Sequence, residues 1–164
     1  AVNKVLGQQD RRSSWLFDTF EGLPDLDSRD AVVEESMSIK MDPKGSYAFE
    51  GGVQTVRKNF ITILGDDLKT VAFVQGSFKD TVPVARIDKI AVLRLDGDLY
   101  SSTIDVLNAL YDKVVSGGYV IIDDYDHWPQ CKKAVHDFFD EGRNMDISKL
   151  LVQVDYTGYY FIKP

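Results

Sequence analysis

Short apolar runs alternate with segments of helical periodicity along most of this 164-residue sequence. The runs have the length and the β-branched or aromatic content of strands, and they fall at residues 14–17, 71–74, 90–95, 119–122, 150–154 and 159–162. Strands that alternate with helices favour right-handed crossovers and an α/β fold with a doubly wound, mostly parallel sheet. A turn sequence separates the last two runs, which therefore predict an antiparallel hairpin.

The segments between the strands carry apolar residues three and four positions apart, which is the spacing of one helical face. They predict helices over residues 53–64, 101–114 and 129–138. Gly117 and Gly118 are expected to stop the second helix before the next strand begins.

The composition fits one domain over residues 1–164, because 44% of the residues are hydrophobic and the length lies in the usual domain range. Lys and Arg number 19 against 26 Asp and Glu, and the formal net charge of -7 repels nucleic-acid phosphates. The single cysteine, Cys131, excludes an internal disulfide and a cysteine-built zinc site. The sequence has neither an apolar run of about 18 residues nor an opening signal peptide. We therefore expect a cytoplasmic protein with no nucleic-acid or membrane partner.

Aspartates follow three of the predicted strands. Asp18 follows the first strand, Asp96 and Asp98 the third, and Asp123 and Asp124 the fourth. A single aspartate at such a position commonly caps the next helix, but ligands of open α/β sheets bind beyond the carboxyl ends of the strands. One helical crossover joins the third and fourth strands, so Asp96, Asp123 and Asp124 are expected to lie close together. Clustered carboxylates repel one another unless a cation neutralises them, which predicts a Mg²⁺ site with Ca²⁺ or Mn²⁺ as alternatives.

Other residues near the predicted strand ends are candidates for ligand contacts. An acidic residue in the position of Asp18 accepts hydrogen bonds from ribose hydroxyls in nucleotide-binding sheets. Gly76, followed by Ser77, lets the backbone approach a flat ring such as adenine. His127 is a candidate base or substrate contact, with an ordinary loop histidine as the alternative. Arg94 lies within a strand and is expected to pair with an acidic residue.

Five sequence blocks occur in a characteristic order: FDTFEGLP (17–24), QGSFKDTVP (75–83), LRLDGDLYSST (93–103), GGYVIIDDY (117–125) and CKKAVHDF (131–138). Together they resemble the macrocin O-methyltransferase family. Members of this family are metal-dependent enzymes that use S-adenosylmethionine to methylate sugar hydroxyls, often on deoxysugars of macrolide and aminocoumarin antibiotics. The resemblance implies the class I methyltransferase (Rossmann-like) sheet, S-adenosylmethionine and Mg²⁺ as cofactors, and a sugar or sugar-bearing natural product as the acceptor.

The resemblance also implies a role for each residue that matches a family motif. Asp96 would act as the general base, with His127 as the alternative. The metal ligands would be Asp96, Asp123 and Asp124, and the cofactor-binding residues would be Asp18, Thr19, Gly76 and Ser77.

The sequence departs from related methyltransferases in two places. Leu99 stands where catechol methyltransferases have a catalytic lysine, which favours a sugar or alcohol acceptor. The family's first strand and its glycine-rich loop should precede Trp15, where only residues 1–13 and Ser14 stand. We therefore expect an N-terminally incomplete methyltransferase domain in which the strand before Asp18 has lost its inner neighbour.

Two alternatives remain open at this point. The chain would be a non-catalytic or truncated remnant if it binds metal but cannot hold the cofactor. The block LRLDGDL is also similar to the opening of haloacid-dehalogenase phosphatases, although Leu99 and Tyr100 replace the Gly-Thr that those enzymes have. The resemblance allows a homo-oligomer as well.

Overall fold

A computed structural model describes residues 12–24, 26–30 and 52–164, without side chains at positions 64 and 66–68. The stretch from Pro24 to Ser46 is polar and acidic with weak periodicity, which predicts a long loop that contacts the substrate. Most of this stretch lies outside the described residues, as do the first eleven residues.

The strands and helices follow the predicted order. In chain order they are β1 (Ser14–Asp18), α1 (Gly52–Leu64), β2 (Val71–Gln75), α2 (Phe78–Thr81), β3 (Ile90–Leu95), α3 (Tyr100–Leu110), β4 (Val114–Ile122), α4 (Pro129–His136), β5 (Val152–Gln153) and β6 (Tyr159–Ile162). A π-helical turn over Asp137–Glu141 continues α4. Helix α2 has no counterpart in the sequence prediction, because four residues are too few for a periodic signal.

The chain divides into two compact units. The first consists of residues 1–24 and 41–77, and the second of residues 25–40 and 78–164. In the first unit, β1 and β2 pair in parallel from Ser14 opposite Val71 to Asp18 opposite Gln75. Helix α1 covers this pair, and the ring of Phe60 meets that of Phe73 edge to face at 5.4 Å.

The second unit contains a four-stranded sheet in the order β3-β4-β6-β5. Strands β3 and β4 are parallel, and β6 pairs antiparallel with both β4 and β5. The predicted parallel neighbours and the antiparallel hairpin at one edge are therefore confirmed. Among the described strands, β1 and β2 form a separate two-stranded sheet.

Strand β4 begins at Val114, five residues before its predicted start, and it includes Gly117 and Gly118. The predicted extension of the preceding helix to residue 114 is wrong. Backbone pairing explains the difference, since the N–H of Gly117 donates to the carbonyl of Lys163 and the N–H of Lys163 donates to the carbonyl of Gly118, both at 2.8 Å. Gly118 permits this geometry because a Cβ atom there would lie 2.8 Å from the Val115 carbonyl oxygen.

The core of the second unit lies where α3 and α4 pack against the sheet. Its fully buried members come from both helices, from the strands and from the segment after α4: Leu107, Ile122, Val135, Phe139, Ile147 and Phe161. Edge-to-face contacts join Tyr111 to Phe138 and Phe139, at 5.4 and 4.8 Å. Within the described ranges, every helix is too short or too polar to cross a membrane.

Candidate functional site

The carboxyl ends of β3 and β4 lie side by side. Arg94 pairs with Ile121 and Leu95 with Ile122 across the two parallel strands. The N–H of Asp123 extends this pairing by donating to the carbonyl of Leu95 at 3.0 Å. Asp96 and Asp123 therefore follow neighbouring strands, as the single helical crossover between them predicts.

Three carboxylates converge at this edge of the second unit. Asp96, Asp98 and Asp124 each place one oxygen within 4.8 Å of the others. Asp98 reaches the group because its backbone adopts a left-handed conformation, with φ of 43°, in the turn between β3 and α3. The strand pattern predicts Asp98 at this strand end, but the predicted group contained Asp123 in its place. The spacing Asp96-Gly97-Asp98 was the signal that could have identified Asp98.

The environment of these carboxylates opposes their ionisation. Burial, and next the facing charge of Asp98, raises the pKa of Asp124 to about 7. Burial is also the main cause that raises the pKa of Asp98, and Asp96 adds to it, whereas the Asp124 contact and His127 act in the opposite direction. The Asp98–Asp124 pair therefore retains a proton more readily than two separate aspartates would.

One carboxylate oxygen of the Asp98–Asp124 pair lacks a hydrogen-bond donor. Within the described part of the chain, Asp124 Oδ2 is buried and receives no hydrogen bond when both carboxylates are ionised. A proton held between Asp98 and Asp124 satisfies it, and so does a cation. Because hard carboxylate oxygens are the ligands that Mg²⁺ prefers, the donor set at this strand edge fits a divalent cation of that class.

Arg94 binds the remaining charges at the same edge. Its Nη1 lies 2.6 Å from Asp96 Oδ2, and its Nη2 lies 2.9 Å from Asp123 Oδ2. Although partial burial opposes its charge, these two carboxylates raise the pKa of Arg94. The sequence predicted one acidic partner for this arginine, and the structure gives it two.

His127 lies in the turn that follows Asp124. The backbone N–H groups of His127 and Trp128 both donate to the carbonyl of Asp124, at 3.2 and 3.0 Å. The His127 ring is exposed and meets the Trp128 ring edge to face at 5.1 Å. His127 therefore lies in the turn next to the carboxylates of Asp96, Asp98 and Asp124 and is not a member of that group.

A series of hydrogen bonds connects the turn after Asp124 to α4 and to the π-helical turn that follows α4. The buried Tyr125 hydroxyl lies 2.7 Å from His136 Nε2, and His136 Nδ1 lies 2.6 Å from Asp140 Oδ2. The other Asp140 oxygen accepts the backbone N–H of Ile147 at 2.9 Å. These contacts fix Tyr125, and with it the backbone next to Asp124, on α4 and the π-helical turn after it.

The predicted cofactor residues lie in the first unit, at the ends of β1 and β2. The N–H of Gly76 donates to the carbonyl of Asp18 at 2.9 Å, which joins the two strand ends. Asp18 Oδ1 accepts the N–H of Phe20 at 2.7 Å, and the Thr19 hydroxyl donates to the carbonyl of Gly22 at 2.7 Å. Both side chains therefore shape the turn after β1, and the Asp18 side chain is exposed at the strand end.

Gly76 has a φ of 141°, in the region that favours glycine, and Ser77 follows it directly before α2. The four residues predicted to contact the cofactor are thus brought to adjoining strand ends within one unit: Asp18, Thr19, Gly76 and Ser77.

Comparison with known proteins identifies the family. The model of the macrocin-O-methyltransferase (TylF) family matches residues 1–163. The chain belongs to this family. Its relatives include demethyldecarbamoylnovobiocin O-methyltransferase of Streptomyces niveus, which is 40% identical over 92% of the chain and 55% of the relative. Mycinamicin III 3''-O-methyltransferase of Micromonospora griseorubida is 37% identical over 92% of the chain and 57% of the relative.

A third relative, the 8-demethyl-8-(2,3-dimethoxy-alpha-L-rhamnosyl)-tetracenomycin-C 4'-O-methyltransferase of Streptomyces olivaceus, is 39% identical over 98% of the chain and 58% of the relative. The chain thus spans little more than half the length of these curated relatives. Among solved structures, the O-methyltransferase NovP is 39% identical, with a TM-score of 0.78 over 94% of this chain and 62% of NovP. The chain therefore has the class I methyltransferase fold that the sequence predicted.

Proposed function

We propose that the protein transfers a methyl group from S-adenosylmethionine to a hydroxyl of a sugar or glycoside, in a reaction that requires a divalent cation. The observation that carries this proposal is the group of carboxylates at the ends of β3 and β4 in a chain that matches the family over residues 1–163. The names of the three relatives describe methyl transfer to oxygen on novobiocin-type, mycinamicin and rhamnosyl-tetracenomycin compounds, which supports a glycosylated natural product as the acceptor class.

Asp96, Asp123 and Asp124 are the proposed ligands of Mg²⁺, and Asp98 lies within reach of the same site. A bound Mg²⁺ supplies Lewis-acid chemistry, which lowers the pKa of an acceptor hydroxyl. The orphaned Oδ2 of Asp124 supports this assignment, because a buried carboxylate oxygen without a donor is costly unless a cation or proton satisfies it.

Two carboxylates are proposed to accept the hydroxyl proton. Asp96 is the residue that the family resemblance favours, but its Oδ2 is already engaged in an ion pair with Arg94 at 2.6 Å. Asp98 has no such partner among the described residues, and burial raises its pKa. Because Arg94 pairs with Asp96 and not with Asp98, Asp98 is the stronger candidate of the two, and a raised pKa is a shift in the direction that favours a general base. His127, at the edge of the group, is the third.

The first unit is proposed to hold the cofactor, which supplies an electrophilic methyl group. Asp18 presents its exposed carboxylate for the ribose hydroxyls, next to Thr19. Gly76 and Ser77 offer backbone with no bulky side chain beside the adenine ring. We further propose a cytoplasmic location, and neither nucleic acid nor membrane as a partner. A homo-oligomer is compatible with this function.

The decisive experiment measures transfer of a radiolabelled methyl group from S-adenosylmethionine to a panel of deoxysugar glycosides, with the aglycones and a catechol as comparison acceptors. We expect label on the glycosides only, loss of transfer in EDTA and recovery with added Mg²⁺. Asp112→Asn provides a matched control, because that carboxylate pairs with Arg143 away from the site and its loss should leave the metal response unchanged.

Two results would contradict separate parts of the proposal, the requirement for a cation and the methyl transfer itself. Unchanged transfer in EDTA would remove the role of the cation while leaving the methyl transfer. Binding of a metal without binding of S-adenosylmethionine, measured by calorimetry, would favour the non-catalytic remnant instead.

A further inference from the structure

Arg94 is a cation that pairs with two of the carboxylates that we assign to the metal. It lies in β3 between the buried Leu93 and Leu95, so its side chain leaves the opposite face of the strand, on the side of the exposed Val92. From there the guanidinium spans the two strand ends, with one nitrogen on Asp96 at 2.6 Å and the other on Asp123 at 2.9 Å. No flexible surface lysine would hold both carboxylates in this way, because only guanidinium offers two fixed donors in one plane.

The charges at this edge are unbalanced without a further cation. Asp96, Asp98, Asp123 and Asp124 supply up to four negative charges at two adjoining strand ends. Among the described residues, Arg94 is the cationic side chain that forms ion pairs with this group. Two of the proposed metal ligands, Asp96 and Asp123, are also the two carboxylates that Arg94 binds. A divalent cation that approaches these ligands meets a positive charge already in place.

We propose that Arg94 is a built-in counter-ion, which holds Asp96 and Asp123 together when the metal site is empty and competes with the divalent cation for them. Arg94 is then a positioning residue that keeps the empty site folded and limits its affinity for metal. This inference rests on the proposed metal-dependent function, because it concerns the regulation of that same site. It also explains how four aspartates are tolerated at one sheet edge before a cation arrives.

The test compares wild-type protein with Arg94→Gln by two measurements that need no acceptor. Binding of Mn²⁺ is followed by the electron paramagnetic resonance signal of the free ion, with Mg²⁺ as competitor. Thermal unfolding is recorded in EDTA and in saturating Mn²⁺. At low ionic strength we expect Arg94→Gln to bind Mn²⁺ about tenfold more tightly, since one positive charge near a divalent ion has been removed. Its melting temperature should fall below that of wild type in EDTA, and Mn²⁺ should close most of the gap.

Two further variants separate this role from ordinary structural support. Arg143→Gln removes an arginine that pairs with Asp112, so its loss in melting temperature should be the same in EDTA and in Mn²⁺. Arg94→Lys keeps the charge but cannot bridge both carboxylates, and it should bind Mn²⁺ with an affinity between those of wild type and Arg94→Gln. Should Arg94→Gln not fold, Arg94→Lys still tests the affinity change.

The outcomes are distinguishable. Equal Mn²⁺ affinity in wild type and the folded Arg94 variants, or weaker affinity in the variants, would overturn the counter-ion role while the metal site stands. A melting-temperature loss that Mn²⁺ does not reduce would assign Arg94 to strand packing alone. Failure of wild-type protein to bind Mn²⁺ at all would remove the metal site itself, and the proposed metal dependence with it.

Discussion

Asp30, which is 1% exposed, accepts hydrogen bonds from both the backbone N–H and the hydroxyl of Ser101, each at 2.8 Å, across 71 positions of sequence. Ser101 lies in the first turn of α3, where backbone N–H groups have no partner within the helix. The residue at the N-cap position, Leu99, provides no side-chain bond. Asp30 therefore caps α3 from a distant segment, and it also accepts the N–H of Asp27 at 2.9 Å. A second link, the ion pair of Arg29 with Asp105 at 2.6 Å, holds the same segment on α3.

Removal of this cap should destabilise the second unit. We expect Asp30→Ala to lower the free energy of unfolding by about 2 kcal/mol, because the partly buried N–H groups of Asp27 and Ser101 lose their acceptor. Asp30→Asn keeps one acceptor oxygen and should cost about 1 kcal/mol. Urea denaturation measures both. Asp146→Asn, which breaks an exposed pair with Lys149, is the control expected to have little effect. Equal stability of Asp30→Ala and the control would contradict the capping role.

The pH dependence of stability should report on the Asp98–Asp124 pair. The pKa of Asp124 is raised to about 7 in the folded protein, chiefly by burial, from an ordinary value of 3.8 when unfolded. Between about pH 4 and 7 the folded state then binds more protons than the unfolded state, so this group's contribution to stability is lost as the pH rises through that window. Discounted for its partial exposure, the effect should not exceed about 2 kcal/mol.

Urea denaturation from pH 5 to 8 in EDTA tests this expectation. Stability of the wild type should fall with pH more steeply than that of Asp124→Asn, and Mg²⁺ should flatten the wild-type curve. Asp112→Asn serves as the control, with a wild-type slope. If wild type and Asp124→Asn have the same slope, the pair does not share a proton.

Substitution of each candidate base should separate metal binding from proton transfer. At saturating Mg²⁺ we expect Asp98→Asn to lower kcat by about 10²- to 10⁴-fold, because an amide cannot accept the proton. Asp96→Asn should raise the Mg²⁺ concentration needed for half-maximal rate. His127→Ala should reduce kcat less than tenfold, as a rough expectation for a residue outside the transfer step. A normal kcat in Asp98→Asn with a large loss in Asp96→Asn or His127→Ala would move the base to the residue that fails.

Gly118 should resist substitution more strongly than its neighbour Gly117. In Gly118→Ala, the new Cβ would lie 2.8 Å from both Val114 Cγ1 and the Val115 carbonyl oxygen, so the strand must shift, at a cost of about 2–3 kcal/mol. Gly117 has open space around it but a φ of 76°, which predicts about 1 kcal/mol of backbone strain for Gly117→Ala. Thermal or urea unfolding of the two variants gives the comparison. The reverse order would mean that β4 accommodates the methyl group by moving.

Cys131 should be unreactive in the folded protein. It is 2% exposed, and burial raises the pKa of its thiol to about 12. We expect no detectable reaction with Ellman's reagent under native conditions at pH 8, and one thiol per chain in urea. Stoichiometric labelling of the native protein would show that α4 opens readily from α3, because Cys131 lies on the face of α4 that is buried.

The sequence by itself determined the order of strands and helices and which strand ends carry aspartates. Continuous apolar runs indicate buried strands, and Asp96, Asp98, Asp123 and Asp124 follow two of them directly. Because parallel strands joined by one crossover are usually neighbours, their ends could be placed together without a structure. The family motifs added the proposed roles, and the match over residues 1–163 confirms the family.

Tertiary structure decided what local patterns do not encode. Gly117 and Gly118 are equally suited to a helix end or a strand, and pairing with Lys163 places them in β4. A left-handed turn, visible only in the backbone, brings Asp98 into the carboxylate group in addition to Asp96 and Asp124.

The partners of two charged residues were decided in the same way. The sequence offered Arg94 several acidic neighbours, but the register of β3 against β4 sets Asp96 and Asp123 at the right distance for its two nitrogens. Asp30 caps a helix 71 positions away, which no local spacing reveals. The Arg94–Asp123 and Asp30–Ser101 contacts each join segments far apart in the chain, and their energies depend on distances that only the packed fold sets.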